Sequence, residues 1–150
     1  MEEDLRKIKI PLPANDPSGG EAEWVWAKKL ENDIFELRNV PTFAKGLSYG
    51  DTVRVRFEDN VPLFQDVVRR GGHSTYRIYA RSDRRNPEVV HVVQTLEKMH
   101  CEVENATDKI IGVDVLPDAD IYAVYKALQD AEQTGILEFQ EGHCGHPLRS

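Results

Sequence analysis

Cysteine is scarce in this 150-residue sequence, which has only Cys101 and Cys144. Two thiols cannot make the multi-bridge framework of a small secreted domain. Long apolar runs are missing as well. None approaches the roughly 18 residues needed to cross a bilayer, and no basic, then apolar, then small-residue leader opens the chain. These absences lead us to expect a cytoplasmic protein with no membrane partner. Cations are outnumbered: 19 Lys and Arg face 26 Asp and Glu, for a net charge of −7. Phosphate neutralisation by Lys and Arg supplies most nucleic-acid affinity, so that balance disfavours wholesale binding to DNA or RNA.

A chain of this length can bury about two thirds of its unfolded surface, so folding calls for neither disulfide nor metal. The 40% apolar content argues against extended disorder and for one domain, or two small halves packed as a unit. Residues 1–22 hold PLPANDPSGGE, whose prolines and glycines mark a flexible N-terminal segment. The preceding LRKIKI alternates Leu5, Ile8 and Ile10 with bases, which leaves an edge strand as its other reading.

From residue 23 the pattern has period two. Trp24, Trp26 and Leu30 share one strand face. Indoles are able to stack on bases, but alternate spacing on one strand face is more often that of core residues, and the core is the expectation here. Val53, Val55 and Phe57 likewise lie opposite Arg54 and Arg56. With IFELRNV, VPLFQDVVRR and the Glu58–Asn60 turn, residues 23–72 read as a small, bent antiparallel sheet or barrel. From residue 73 onward the period alternates. Asn86 caps a helix that has Pro87 at its first position and Val89, Val92, Val93, Leu96 and Met99 on one face. Asp118 is expected to cap a second helix, with Ile121, Val124, Leu128 and Ala131 as its stripe and Gly135 as its stop. Counting STYRIYAR first, residues 73–150 run strand, helix, strand, strand, helix, strand, the ferredoxin-like split βαβ order. The predicted fold is therefore α+β, in two packed halves.

Charge and glycine concentrate in RRGGHSTYR. The segment from Arg69 to Arg85 is +5 and the remainder −12. Consecutive glycines can turn several N–H groups toward an anion, and flanking arginines add bidentate donors. Arg70, Gly71, Gly72, His73, Ser74 and Arg77 are the candidate anion ligands, with His73 the candidate acid or base. The plain alternative is a glycine hairpin with solvated arginines. In GHCGHP, His143, Cys144 and His146 are metal-ligand types, but their spacing fits no zinc motif. A fourth ligand would have to come from His73, His91, His100 or Cys101. We therefore expect no metal and no cofactor there. Cys101 reads as a core residue. Asp114, Asp118 and Asp120 fit helix capping as well as they fit Mg²⁺. RNA binding through a sheet would need paired aromatics, whereas Tyr76 and Tyr79 fall on opposite faces.

The succession NVPTFAKGLSYGDTVRV, RRGGHSTYRI and EGHCGHP resembles a family of small bacterial proteins catalogued only as a domain of unknown function. The resemblance runs from about Trp24 to Pro147. It implies a bacterial, intracellular source, places His73 in a family motif and brings no established catalytic residue. Acidity without a complete catalytic signature then suits a protein-binding module of immunity or regulatory type. Such a module would sequester a basic toxin or enzyme through Glu102, Glu104, Asp130 and Glu132. The alternative is a sensor or enzyme for a phosphate- or nucleotide-like anion, built on RRGGHSTYR.

Overall fold

The computed structural model describes residues 3–16 and 20–149; residues 17–19, part of the Pro/Gly-rich stretch, lie outside it. Among the described residues are nine strands and two helices in two sheets. The first sheet curls through β1 (Leu5–Pro11), β2 (Ala22–Glu31), β3 (Ile34–Leu37), β4 (Thr52–Glu58) and β5 (Val61–Arg69). Successive strands pair antiparallel, and β1 returns to β5 in parallel through Lys9 and Leu63 to close a barrel. Asp59 and Asn60 both take positive φ between Glu58 and Val61, the two-residue turn whose twist matches that of the flanking strands.

Two expectations give way here. Leu5–Pro11 is a barrel strand rather than part of a flexible segment, because Ile8 and Ile10 insert into the barrel core while Leu5 stays outside. The β2 phase is also reversed. Val25 and Ala27 are buried, whereas Trp24, Trp26 and Leu30 are 49%, 44% and 45% exposed. Five short strands enclose a narrow lumen already holding Ile8, Phe35, Leu37, Val53 and Val55, which leaves no room for an indole. Phe57, placed with Val53 and Val55 by periodicity, sits at the open end of its strand and is exposed as well.

The second sheet runs in the order β7–β8–β6–β9, all antiparallel, from β6 (Ser74–Ala80), β7 (Cys101–Asn105), β8 (Ile110–Val115) and β9 (Leu137–His143). Helices α1 (Pro87–Lys98) and α2 (Ile121–Gln133) bury Val89, Leu96, Val124 and Leu128 against Tyr76, Ile78 and Val113. Cys101 belongs to this core. The cap of α1 is Asn86, accepting from the Glu88 N–H as expected. For α2 the cap is Asp120, which accepts from the Tyr122 and Ala123 N–H groups. Asp118 instead meets His100 Nδ1 at 2.9 Å, so the expected cap lies two residues too early.

The β3–β4 loop joins the halves. Glu23 is half-buried, and its carboxylate accepts from the N–H groups of Thr42, Phe43 and Ala44. That burial raises its pKa despite the three donors. The loop is thereby pressed onto the sheet face away from the helices. Gly112 admits the approach, since a Cβ there would lie 2.5 Å from Thr42 Oγ1. Glu104 fastens the other side by accepting from Asn39 Nδ2 and the Val40 N–H.

Candidate functional site

Four stretches singled out in the sequence meet at this junction. Asp51, 1% exposed, accepts from the N–H groups of Ser48 and Gly71 and from Arg70 Nη1. It ties SYGD to RRGG. Gly71 has no space for a side chain, because a Cβ would stand 2.6 Å from the Gly50 carbonyl oxygen. Gly72 takes φ +88°, where a side chain would be strained. The glycine pair thus has a structural reason independent of any ligand.

His73 follows this turn. Its Nδ1 lies 2.7 Å from Asp114 Oδ1, and the two side chains are 14% and 2% exposed. The second Asp114 oxygen is buried without a hydrogen-bond partner among the described residues. A carboxylate so poorly served favours a proton on its neighbour. The His73 pKa is accordingly raised, first by this hydrogen bond and more weakly by Asp51 and Glu102, with burial opposing. The other edge of the ring, Nε2 and Cδ2, packs over Gly50, where a Cβ would come within 3.2 Å. The Tyr49 ring is 5.5 Å away, centroid to centroid. Beyond the imidazole opens a cleft of about 370 Å³, lined by Leu30, Glu36, Tyr49, Thr52, Arg69 and Arg70 among others. Arg70 is anchored at its floor by Asp51 and by the Gly46 carbonyl.

The closing GHCGHP segment locks the back of the site. Ser74 Oγ lies 2.6 Å from His146 Nδ1 and accepts from the N–H groups of Gly145 and His146. His146 Nε2 lies 2.8 Å from the Leu116 carbonyl oxygen. One arrangement satisfies every atom: Nε2–H donates to Leu116, and the Ser74 hydroxyl donates to Nδ1. Both His146 nitrogens are then committed to protein. Gly145 passes so near His73 that a Cβ would overlap its carbonyl oxygen at 2.2 Å. Among the described residues no group of three or more His, Cys, Asp and Glu side chains could hold a metal ion. Ser74→Ala is expected to cost about 1–2 kcal/mol by stranding the buried His146 N–H, the part-buried Gly145 N–H and the His146 ring. Thermal denaturation checks it, and an unchanged midpoint would remove the segment's structural role.

The remaining candidates disperse. Ser74 faces His146 and away from the cleft. Arg77 lies on the far side of the loop, over the Phe43 ring and bonded to Gln140. His143 is half-buried, its pKa pushed down by burial and then by the Arg70 charge. The cleft thus brings together Arg69, Arg70, Gly71 and His73. Of the four acids proposed for a partner, Glu104 serves the loop, Glu132 accepts from the Phe139 N–H and Asp130 pairs with Lys126. Glu102 is exposed, paired in register with Asp114. Asp114 itself was visible in the sequence as an acid, but nothing local links it to a histidine 41 positions earlier. That link comes from the antiparallel register of β6 and β8, which sets Thr75 against Asp114.

Residues 23–139 match the family described as a domain of unknown function, DUF4265. The chain belongs to that family. Its match ends before the GHCGHP segment but includes the His73–Asp114 pair and all the cleft residues named above. The DUF4265 chain is also similar to catalase-peroxidases of Pseudomonas putida, with 31% identity over 135 residues in strain GB-1 and 30% in a second strain. Those matches cover 88% of this chain and 16% of each catalase-peroxidase, so the chain spans about a sixth of the relatives' length. A crystal structure of a hypothetical protein from Neisseria gonorrhoeae superposes with a TM-score of 0.82, covering 98% of this chain and 100% of that one. At 17% identity this likeness establishes the fold.

Proposed function

We propose that this protein binds a small anion, a carboxylate or a phosphate, in the cleft between barrel and sheet, with His73 as its proton donor. The observation that carries the reading is the His73–Asp114 pair. A buried carboxylate on Nδ1 favours the imidazolium, and the His73 ring lines the same cleft as Arg69 and Arg70. Such a group can donate a charge-assisted hydrogen bond to an anionic oxygen, or a proton to a leaving oxygen. The same reading takes residues 74–143 as a ferredoxin-like unit, supported by the β7–β8–β6–β9 order with both helices on one face. Two free cysteines support a reducing, cytoplasmic setting.

Titration of isotope-labelled protein with inorganic phosphate and with acetate tests the site by NMR. Saturable shifts are expected at the amides of Gly50, Gly71 and His73, with tighter binding at about pH 6 than at about pH 8. His73→Asn should weaken binding about 10- to 100-fold, the worth of a hydrogen bond to a charged group. Shifts scattered over the surface, or equal in His73→Asn, would refute the assignment.

A further inference from the structure

The outward face of β1 and β2 carries a second feature, remote in chemistry from the cleft. Trp24 and Trp26 are about half exposed although large apolar side chains normally find cover. They alternate along β2, roughly 6.6 Å apart at the rise of an extended strand. Across the antiparallel pair, Lys9 stands opposite Trp24 and Lys7 opposite Trp26. Each ammonium lies over its indole, at 5.9 and 5.3 Å from the ring centroids. Neither lysine has a carboxylate within ion-pair distance among the described residues. The result is a two-by-two lattice of flat rings and cations on a protein whose total charge is −7. Net charge argued against nucleic acid, yet charge here is segregated, and Leu5–Ile10 contains three cations and no acid.

We propose that this face binds single-stranded nucleic acid, with successive bases stacking on Trp24 and Trp26 and the phosphates meeting Lys7 and Lys9. Indoles give any base a π-face to stack on, and a flanking row of cations tracks the backbone, so recognition is sequence-tolerant. A duplex does not fit, because its bases are already stacked and closed to the rings. The lysines over the indoles swing aside readily, being flexible four-carbon chains.

The chain reports on this face without a label, since Trp24 and Trp26 are its only tryptophans. Intrinsic fluorescence of the full chain is followed while an oligothymidylate of about ten nucleotides is added. Saturable quenching is expected, with binding that falls with salt at a log–log slope of about −1.4, the value for two phosphates on a single strand. Trp24→Ala, read by the remaining indole, should weaken it about 5- to 150-fold. The double variant Lys7→Gln, Lys9→Gln should flatten the salt dependence and keep both rings. All these side chains are outside the core, so circular dichroism and melting should match the parent, and His73→Asn should bind the oligonucleotide normally. No quenching would overturn the proposal. So would equal quenching by heparin, which lacks bases, quenching by anionic phosphatidylglycerol vesicles alone, or a protein-concentration-dependent spectral shift without oligonucleotide, which marks self-association.

Discussion

Asp51→Ala is expected to lower the unfolding free energy by about 2–4 kcal/mol, and the melting temperature by roughly 5–15 °C for a chain of this size. The carboxylate is 1% exposed and accepts three hydrogen bonds, two from backbone N–H groups and one from Arg70. Bonds to a charged acceptor contribute about 1.5–3 kcal/mol each when removed singly, and less than their sum when lost together. Arg70 recovers hydration because its side chain is 45% exposed, whereas the Ser48 N–H is buried and recovers little. Asp51→Asn keeps an acceptor for one N–H and should fall between. Asp66→Ala is the contrast: that carboxylate is 52% exposed, 3.3 Å from Arg54, and its loss should cost about 0–1 kcal/mol. Denaturant unfolding of the three variants decides the matter. An Asp51→Ala protein as stable as Asp66→Ala would mean that the Asp51 hydrogen bonds contribute nothing net and that the junction is held by its other contacts, those of Glu23 and Glu104 among them.

Much of this molecule is legible in its residues because local rules and global fold agree there. Asn86 followed by Pro87 is a favoured helix start, and the Val89–Leu96 stripe says which side faces inward. The errors fall where two local readings were equally good. In β2 both faces are apolar, Trp24 and Trp26 on one and Val25 and Ala27 on the other. Periodicity separates the faces without saying which is inside. The answer depends on lumen width, a property of five strands together. Asp118 and Asp120 both precede an apolar helical stripe, and only the path after Pro117 decides which reaches the first N–H groups.

The candidate site was less legible, for a topological reason. RRGGHSTYR looked like one site because its residues are consecutive. Once Ser74 begins a strand, however, successive side chains must point to opposite faces. Ser74 therefore meets the C-terminal segment, while Arg77 lies across the sheet under Phe43. The cleft is assembled instead from Tyr49 and Gly50 of the loop, Arg69 and Arg70 at the end of β5, and His73, whose ring is held by Asp114 on a strand that returns beside β6. The glycines that suggested a phosphate cradle are needed for this assembly, since Gly71 passes the Gly50 carbonyl and Gly72 takes φ +88°.

Asp114→Asn should destabilise the protein by about 1.5–3 kcal/mol in mildly acidic solution and progressively less as pH rises. Because the folded pKa of His73 lies above its ordinary value of 6.5, the folded state holds a proton that the unfolded chain releases. The pair's contribution is complete below about pH 6.5 and fades as pH climbs through the folded value. Once the imidazole is neutral, Asp114 is a buried carboxylate with one oxygen unsatisfied, and replacing it by an amide then costs little or even stabilises. His143 runs the other way in a separate window. Its folded pKa is lowered, so its contribution is present above about pH 6.5 and lost as pH falls through the folded value. Above about pH 6.5 the alkaline limb therefore belongs to His73. On the acid side the His143 loss is opposed by Glu23, whose raised pKa gives stability that is present below about pH 4.5 and lost as pH climbs through its folded value. Cys101, its thiol pushed up to about 12 by burial, adds a second alkaline loss only where unfolded thiols ionise, above about pH 8.5. Urea denaturation between about pH 5 and pH 8 resolves both limbs. Asp114→Asn should flatten the alkaline limb and leave the acid one; an alkaline limb unchanged in this variant would detach His73 from Asp114 and remove the basis for its role as proton donor in the cleft.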